Sequence, residues 1–137
     1  MTTRRLPLWT GFAMAACLAS GAAFSADLKL SGDQEAPPVK STATGTGSIN
    51  VASDGAVTGS VTTSGLSGTA AHIHQGVPGK SGPVVLPLTK SGDNTWAVPA
   101  GSKLTPDQLK AYQAGELYVN VHTVANKDGE IRGQLKP

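Results

Sequence analysis

Leu117-Tyr118-Val119-Asn120-Val121-His122-Thr123 alternates apolar and polar side chains along its first six residues. Such alternation marks a β-strand with one buried face, because successive side chains leave the pleat on opposite sides. Leu117, Val119 and Val121 therefore point into a core, and Tyr118, Asn120 and His122 share the opposite face. Upstream, Ala71-His72-Ile73-His74 obeys the same rule: Ile73 points inward while His72 and His74 project together, about 7 Å apart along the backbone. These two segments hold all three histidines of the 137-residue chain. The three imidazoles are thus expected on the non-core side of a single sheet, where they can meet.

Working outward, the text from Leu28 onward consists of short β-branched runs separated by glycine, proline and asparagine. Strands are expected over 28–31, 45–52, 57–63, 70–75, 83–89, 95–98, 117–123 and 130–135, a spacing that indicates an antiparallel sandwich or barrel. Ser53-Asp54-Gly55 and Lys127-Asp128-Gly129 read as hairpin turns, since glycine supplies the positive φ such turns need. One helix is expected over 106–114. Thr105 is its N-cap, Pro106 its first residue, Gln108 completes a capping box, Leu104 and Leu109 form a hydrophobic staple, and Gly115 ends it.

The first residues read as an export signal rather than as part of the fold. Arg4 and Arg5 precede an apolar run over 6–18, and small residues follow over 20–26, which places the signal at 1–25 and one mature domain at 26–137. The apolar run is too short for a membrane span. Thr3-Arg4-Arg5-Leu6 loosely resembles a twin-arginine signal, and Met14-Ala15-Ala16-Cys17 a lipoprotein box that would anchor the chain through Cys17. The expected location is periplasmic or secreted, with the anchored form as the minor option.

Removal of the signal takes away the surplus of positive charge and the only cysteine. Equal numbers of acidic and basic residues remain, so no basic patch is left for nucleic acid. A mature chain without sulfur excludes disulfides, zinc fingers, iron–sulfur clusters and blue-copper sites. Roughly 110 residues suffice for one core and not for two. The Gly76-Val77-Pro78-Gly79-Lys80-Ser81 stretch is not a phosphate loop: His74 stands where the first glycine belongs, and an extended run follows instead of a helix. No nucleophile elbow or acid pair appears, so no catalytic residue is assigned.

Leu30-Ser31-Gly32, Glu35-Ala36-Pro37-Pro38-Val39, Gly65-Leu66-Ser67-Gly68, Ala71-His72-Ile73-His74, Gly82-Pro83-Val84-Val85, Tyr118-Val119-Asn120-Val121-His122-Thr123 and Gly129-Glu130-Ile131-Arg132-Gly133-Gln134-Leu135 together resemble the CHRD domain. This domain takes its name from the secreted regulator chordin and also occurs in small exported bacterial proteins. The resemblance covers nearly the whole mature chain; Lys127 stands where many members are expected to have proline. It implies an extracytoplasmic all-β fold, an antiparallel β-sandwich of immunoglobulin-like or superoxide-dismutase-like kind, and carries no established chemistry.

A fainter similarity links the His-x-His strand, the later histidine and a final-strand arginine to the copper half of copper–zinc superoxide dismutases. The chain departs from that pattern in having no fourth histidine, no zinc-site loop and no disulfide. Parity places Arg132 on the His122 face. With 125–129 as the loop, the two would stand directly opposite. His72, His74 and His122 are therefore the expected ligands of one copper or zinc ion, three imidazoles without sulfur suiting either metal. Arg132 and Asn120 are expected beside them, Arg132 as an anion-attracting group. The rival reading is a metal-free module that binds a protein or envelope component through a loop such as 75–82, the histidines forming a polar network with Tyr118, Asn120 and Gln134. A superoxide-dismutase-like oxidoreductase comes third.

Overall fold

The computed structural model describes residues 27–137, so the expected signal and Cys17 lie outside the described residues. The strands are β1 (Leu28–Ser31), β2 (Thr44–Val51), β3 (Val57–Ser64), β4 (Ala70–Gln75), β5 (Val84–Pro87), β6 (Thr89–Gly92), β7 (Thr95–Ala97), β8 (Leu117–His122) and β9 (Ile131–Gln134). Between β7 and β8 runs α1 (Pro106–Gln113), whose Thr105 and Gln108 form the expected reciprocal capping box. Gly115, at φ +76°, takes the chain out of the helix.

All pairings are antiparallel, and the strand order is β5-β4-β8-β9-β1-β2-β3-β7-β6. The fold is thus all-β, as the alternation requires, but the stretch expected as one strand over 83–89 is divided between β5 and β6. These two stand at opposite ends of the order and are separated by Leu88 alone. Pro87 has no N–H to continue the ladder. Leu88 turns into the core, and its N–H donates to the Ala71 carbonyl at 2.9 Å. The chain therefore stitches the two edges of its own sheet together and makes it barrel-like, which protects edges that would otherwise recruit other strands.

The interior is what the alternation dictates. Val61, Ile73, Leu117, Val119, Val121 and Ile131 are at most 1 % exposed and pack with Leu30 and Trp96. Each such aliphatic side chain contributes about 1.5–3 kcal/mol on leaving water. β8 lies at the centre of the site-bearing half, with β4 on one side and β9 on the other. Opposite β4 it pairs Ala70 with His122, His72 with Asn120, and His74 with Tyr118.

The β8–β9 register differs from the expected one. Arg132 stands opposite Asn120, not opposite His122. Parity holds, since both partners lie on the outer face, but the turn is centred one residue earlier. Its closure comes from Thr123 and Asn126 rather than from Asp128-Gly129 alone. The Asn126 N–H donates to Thr123 Oγ1 at 3.1 Å, and Thr123 Oγ1 and Asn126 Nδ2 both donate to Glu130 Oε1, at 2.9 and 3.1 Å.

Candidate metal centre

The outer face of β4, β8 and β9 carries His72, His74, Tyr118, Asn120, His122, Arg132 and Gln134, and most of it is closed off from solvent. Tyr118, Asn120 and Arg132 are at most 2 % exposed and His74 8 %. Loops and turns supply the cover, and each is held by side chains of the face. Arg132 Nη1 donates to the Lys80 carbonyl at 2.8 Å and Nη2 to the Val77 carbonyl at 3.0 Å. Gln134 Nε2 donates to the carbonyls of Gly76 and Gly115, both at 2.8 Å. The Gly82 N–H donates to the Tyr118 hydroxyl at 3.1 Å. A side chain at Gly82 would collide with the Gln75 carbonyl, so the loop can approach β4 this closely only with glycine. The stretch once compared with a phosphate loop thus turns carbonyls inward, the opposite of an anion cradle.

Inside this cover the three histidines converge. The ring centroids of His72 and His122 are 4.9 Å apart, those of His72 and His74 5.5 Å, and those of His74 and His122 5.9 Å. One nitrogen from each lies within 4.8 Å of the other two. A metal bound at about 2.0–2.1 Å to each nitrogen needs separations of roughly 3.3 Å in a tetrahedral arrangement and about 4 Å across a square one.

Backbone carbonyls fix which nitrogens are available. His74 Nδ1 donates to the Gly82 carbonyl at 2.9 Å, and His122 Nδ1 donates to the Lys127 carbonyl at 2.7 Å. A carbonyl only accepts, so in the neutral imidazoles the proton is on Nδ1 and Nε2 keeps its lone pair. Such a second bond is what orients histidine ligands in metal sites. His72 Nδ1 stands 3.0 Å from His122 Nε2 and donates to it; ligation through His72 Nδ1 would require that proton to move to Nε2, whereas His72 Nε2 already has a free lone pair. His74 Nε2 is buried and has no hydrogen-bond partner.

The surroundings disfavour protonation of His72 and His74. Burial is the main cause that pulls His72 below the ordinary histidine range, assisted by His122 and His74. Burial also dominates at His74, opposed by the bond to Gly82 and by the nearby Asn120 amide, and assisted by His122 and Arg132. His74 stacks on Tyr118, with ring centroids 5.0 Å apart and planes 3° from parallel. The Arg132 guanidinium lies 3.4 Å from the Tyr118 ring centroid. Since Tyr118 belongs to the strand between β4 and β9, it is layered between the imidazole and the cation.

Asn120 is anchored by donation from Nδ2 to the Asp128 carbonyl at 3.2 Å, while its buried Oδ1 has no partner. Beside it lies Glu35, which the sequence marks only as the first residue of the Glu35-Ala36-Pro37-Pro38-Val39 motif. Glu35 is 7 % exposed, with an unpartnered Oε1, and burial pushes its carboxyl up to about 7 against the pull of Arg132 and of the adjacent Asn120 amide. Gly129, at φ +126°, lets the turn pass over both; a Cβ there would come within 2.5 Å of Glu35 Oε1 and 2.6 Å of Asn120 Nδ2. No pattern in the sequence signals this burial, because Glu35 belongs to no periodic element and follows the exposed pair Asp33-Gln34.

Residues 26–135 match the CHRD domain family. The chain belongs to that family. Comparison with the curated proteins and with the solved structures returned no match. In this CHRD domain the motifs Glu35-Ala36-Pro37-Pro38, Ala71-His72-Ile73-His74 and Tyr118 to Thr123, together with Arg132, come together on the outer face, so residues far apart in the chain build one polar assembly.

Proposed function

We propose that this CHRD domain works outside the cytoplasm as a metal-binding module, holding one copper(II) or zinc(II) ion through His72, His74 and His122. The observation that carries this reading is the state of His74. Its Nδ1 proton is committed to the Gly82 carbonyl, and its buried Nε2 is left without a donor beside two more imidazoles. A buried acceptor without a partner costs about 1–3 kcal/mol, which a bound cation would relieve. Nitrogen donors without sulfur suit copper(II) and zinc(II). Water or an outside ligand would complete the coordination. Three protein ligands with an open position is also the pattern of catalytic sites, yet the recorded donations of Arg132 go to loop carbonyls and Gln134 rather than toward the cluster.

Titration calorimetry of the metal-stripped mature protein at neutral pH should give about one ion bound per chain. Replacing His74 with alanine should weaken binding by about tenfold or more, through loss of one ligand of three. The competing reading, an interaction module that uses the loop over 75–82, draws support from Val77 in that loop, 43 % exposed, with Val84 of the adjoining β5 53 % exposed. No binding by the wild type, or equal binding by the triple alanine variant, would discard the metal and favour that alternative.

A further inference from the structure

Apart from the histidine cluster, the structure contains an open cleft of about 590 Å³ between the segment at 33–38 and the loop at 78–81. Each wall has an apolar part, Ala36, Pro37 and Pro38 on one side and Pro78 on the other, among polar residues, and Arg132 and Gln134 form part of the lining. Arg132 is 1 % exposed, and its recorded donations go to the neutral oxygens of Lys80, Val77 and Gln134. A guanidinium has five N–H groups, so two are left without a protein acceptor. Two acids line the cleft, Asp33 and Glu35. Asp33 accepts a hydrogen bond from Ser31 Oγ. Glu35, with its carboxyl pushed up to about 7, is largely neutral at pH 6.

A buried cation without a directly bound anion is costly, and the planar fork of arginine suits a carboxylate better than a compact charge does. We infer that the cleft is a binding site for a small organic acid, its carboxylate on Arg132 beside Gln134 and its apolar body between Pro37, Pro38 and Pro78. Lys80, exposed on the rim, adds a second positive charge. This site is separate from the histidine cluster and does not depend on a metal.

The test uses the metal-free mature protein at pH 6 and follows its backbone amides by NMR during titration with hexanoate, hexanamide and acetate. Hexanoate should bind with a dissociation constant of about 1 mM, a value ordinary for so small a ligand, and should shift the amides of Arg132, Gln134 and residues 78–81. Acetate, which lacks the apolar body, and hexanamide, which lacks the charge, should each bind at least about tenfold more weakly. Because replacing Arg132 would also release the loop, the diagnostic variant is Lys80→Glu, on the exposed rim, which should stay folded and bind hexanoate about tenfold more weakly. Equal shifts with hexanamide, equal affinity for acetate, an unchanged affinity in Lys80→Glu, or shifts confined to other parts of the molecule would overturn the assignment.

Discussion

At Glu35 the fold shifts a carboxyl far from its ordinary range. It is raised from an ordinary 4.5 to about 7, chiefly by burial. The folded protein therefore binds a proton more readily than the unfolded chain, and stability falls as pH rises from about 4.5 to about 7, levelling off above that. Glu35→Gln removes the ionisation and keeps the shape. Its melting temperature should exceed that of the wild type at pH 8 by on the order of 5 °C, with the two converging near pH 5; thermal denaturation at both values checks this. The histidines carry the opposite sign. His72 and His74 are held below the ordinary range, so their protonation is penalised in the fold and stability is lost as pH falls through about 6.5. Metal affinity should fall over the same range, since a protonated imidazole cannot ligate, and titrations at pH 5.5 and 7.5 would measure the difference. The His-x-His pair and His122 were legible in the sequence because parity along a strand fixes which face a side chain takes. Glu35 was not, because nothing local distinguishes a loop carboxylate that will be buried by distant chain from one that stays in water.

Among the elements, the loop at 76–82 is held by contacts with distant strands. Arg132 and Gln134 of β9, Tyr118 of β8 and His74 of β4 all hydrogen-bond to its backbone. Arg132→Met would remove the donors to Lys80 and Val77 and should cost about 3 kcal/mol, because hydrogen bonds from a charged group contribute about 1.5–3 kcal/mol each. Tyr118→Phe removes one neutral acceptor and keeps the ring stack, and should cost about 1 kcal/mol. Hydrogen exchange would check the ranking, with amides of 76–82 exchanging faster in Arg132→Met than in Tyr118→Phe. At this scale the sequence was a good guide to the strands and to the helix cap, whose signals lie within a few residues of each other. It missed the β8–β9 register by one residue at the turn, because Lys127-Asp128-Gly129 is the stronger local turn signal while the closure is made by Thr123 and Asn126 through Glu130. It also read 83–89 as a single strand. An apolar run carries no mark of the point at which it changes neighbours.

For the whole molecule, the closure at Leu88 governs the integrity of the sheet. That residue is 7 % exposed and joins β5 to β6 across the ends of the strand order. Leu88→Ala should cost about 3 kcal/mol through the cavity it leaves, measurable as a lower denaturation midpoint with an unchanged denaturant slope. Retention of the wild-type midpoint would mean that the seam adds little to the sheet. β4 contributes to both sides of this wall, with Ile73 among the aliphatic side chains within and His72 and His74 on the outer face. An ion captured outside is consequently linked to the global unfolding of the barrel, and at a hundredfold excess over its dissociation constant it would stabilise the native state by about 2.7 kcal/mol. Where opening is fast compared with cleavage, resistance to proteases tracks that free energy. The lifetime of the domain would then follow the metal content of its surroundings, and its abundance would serve as a record of supply.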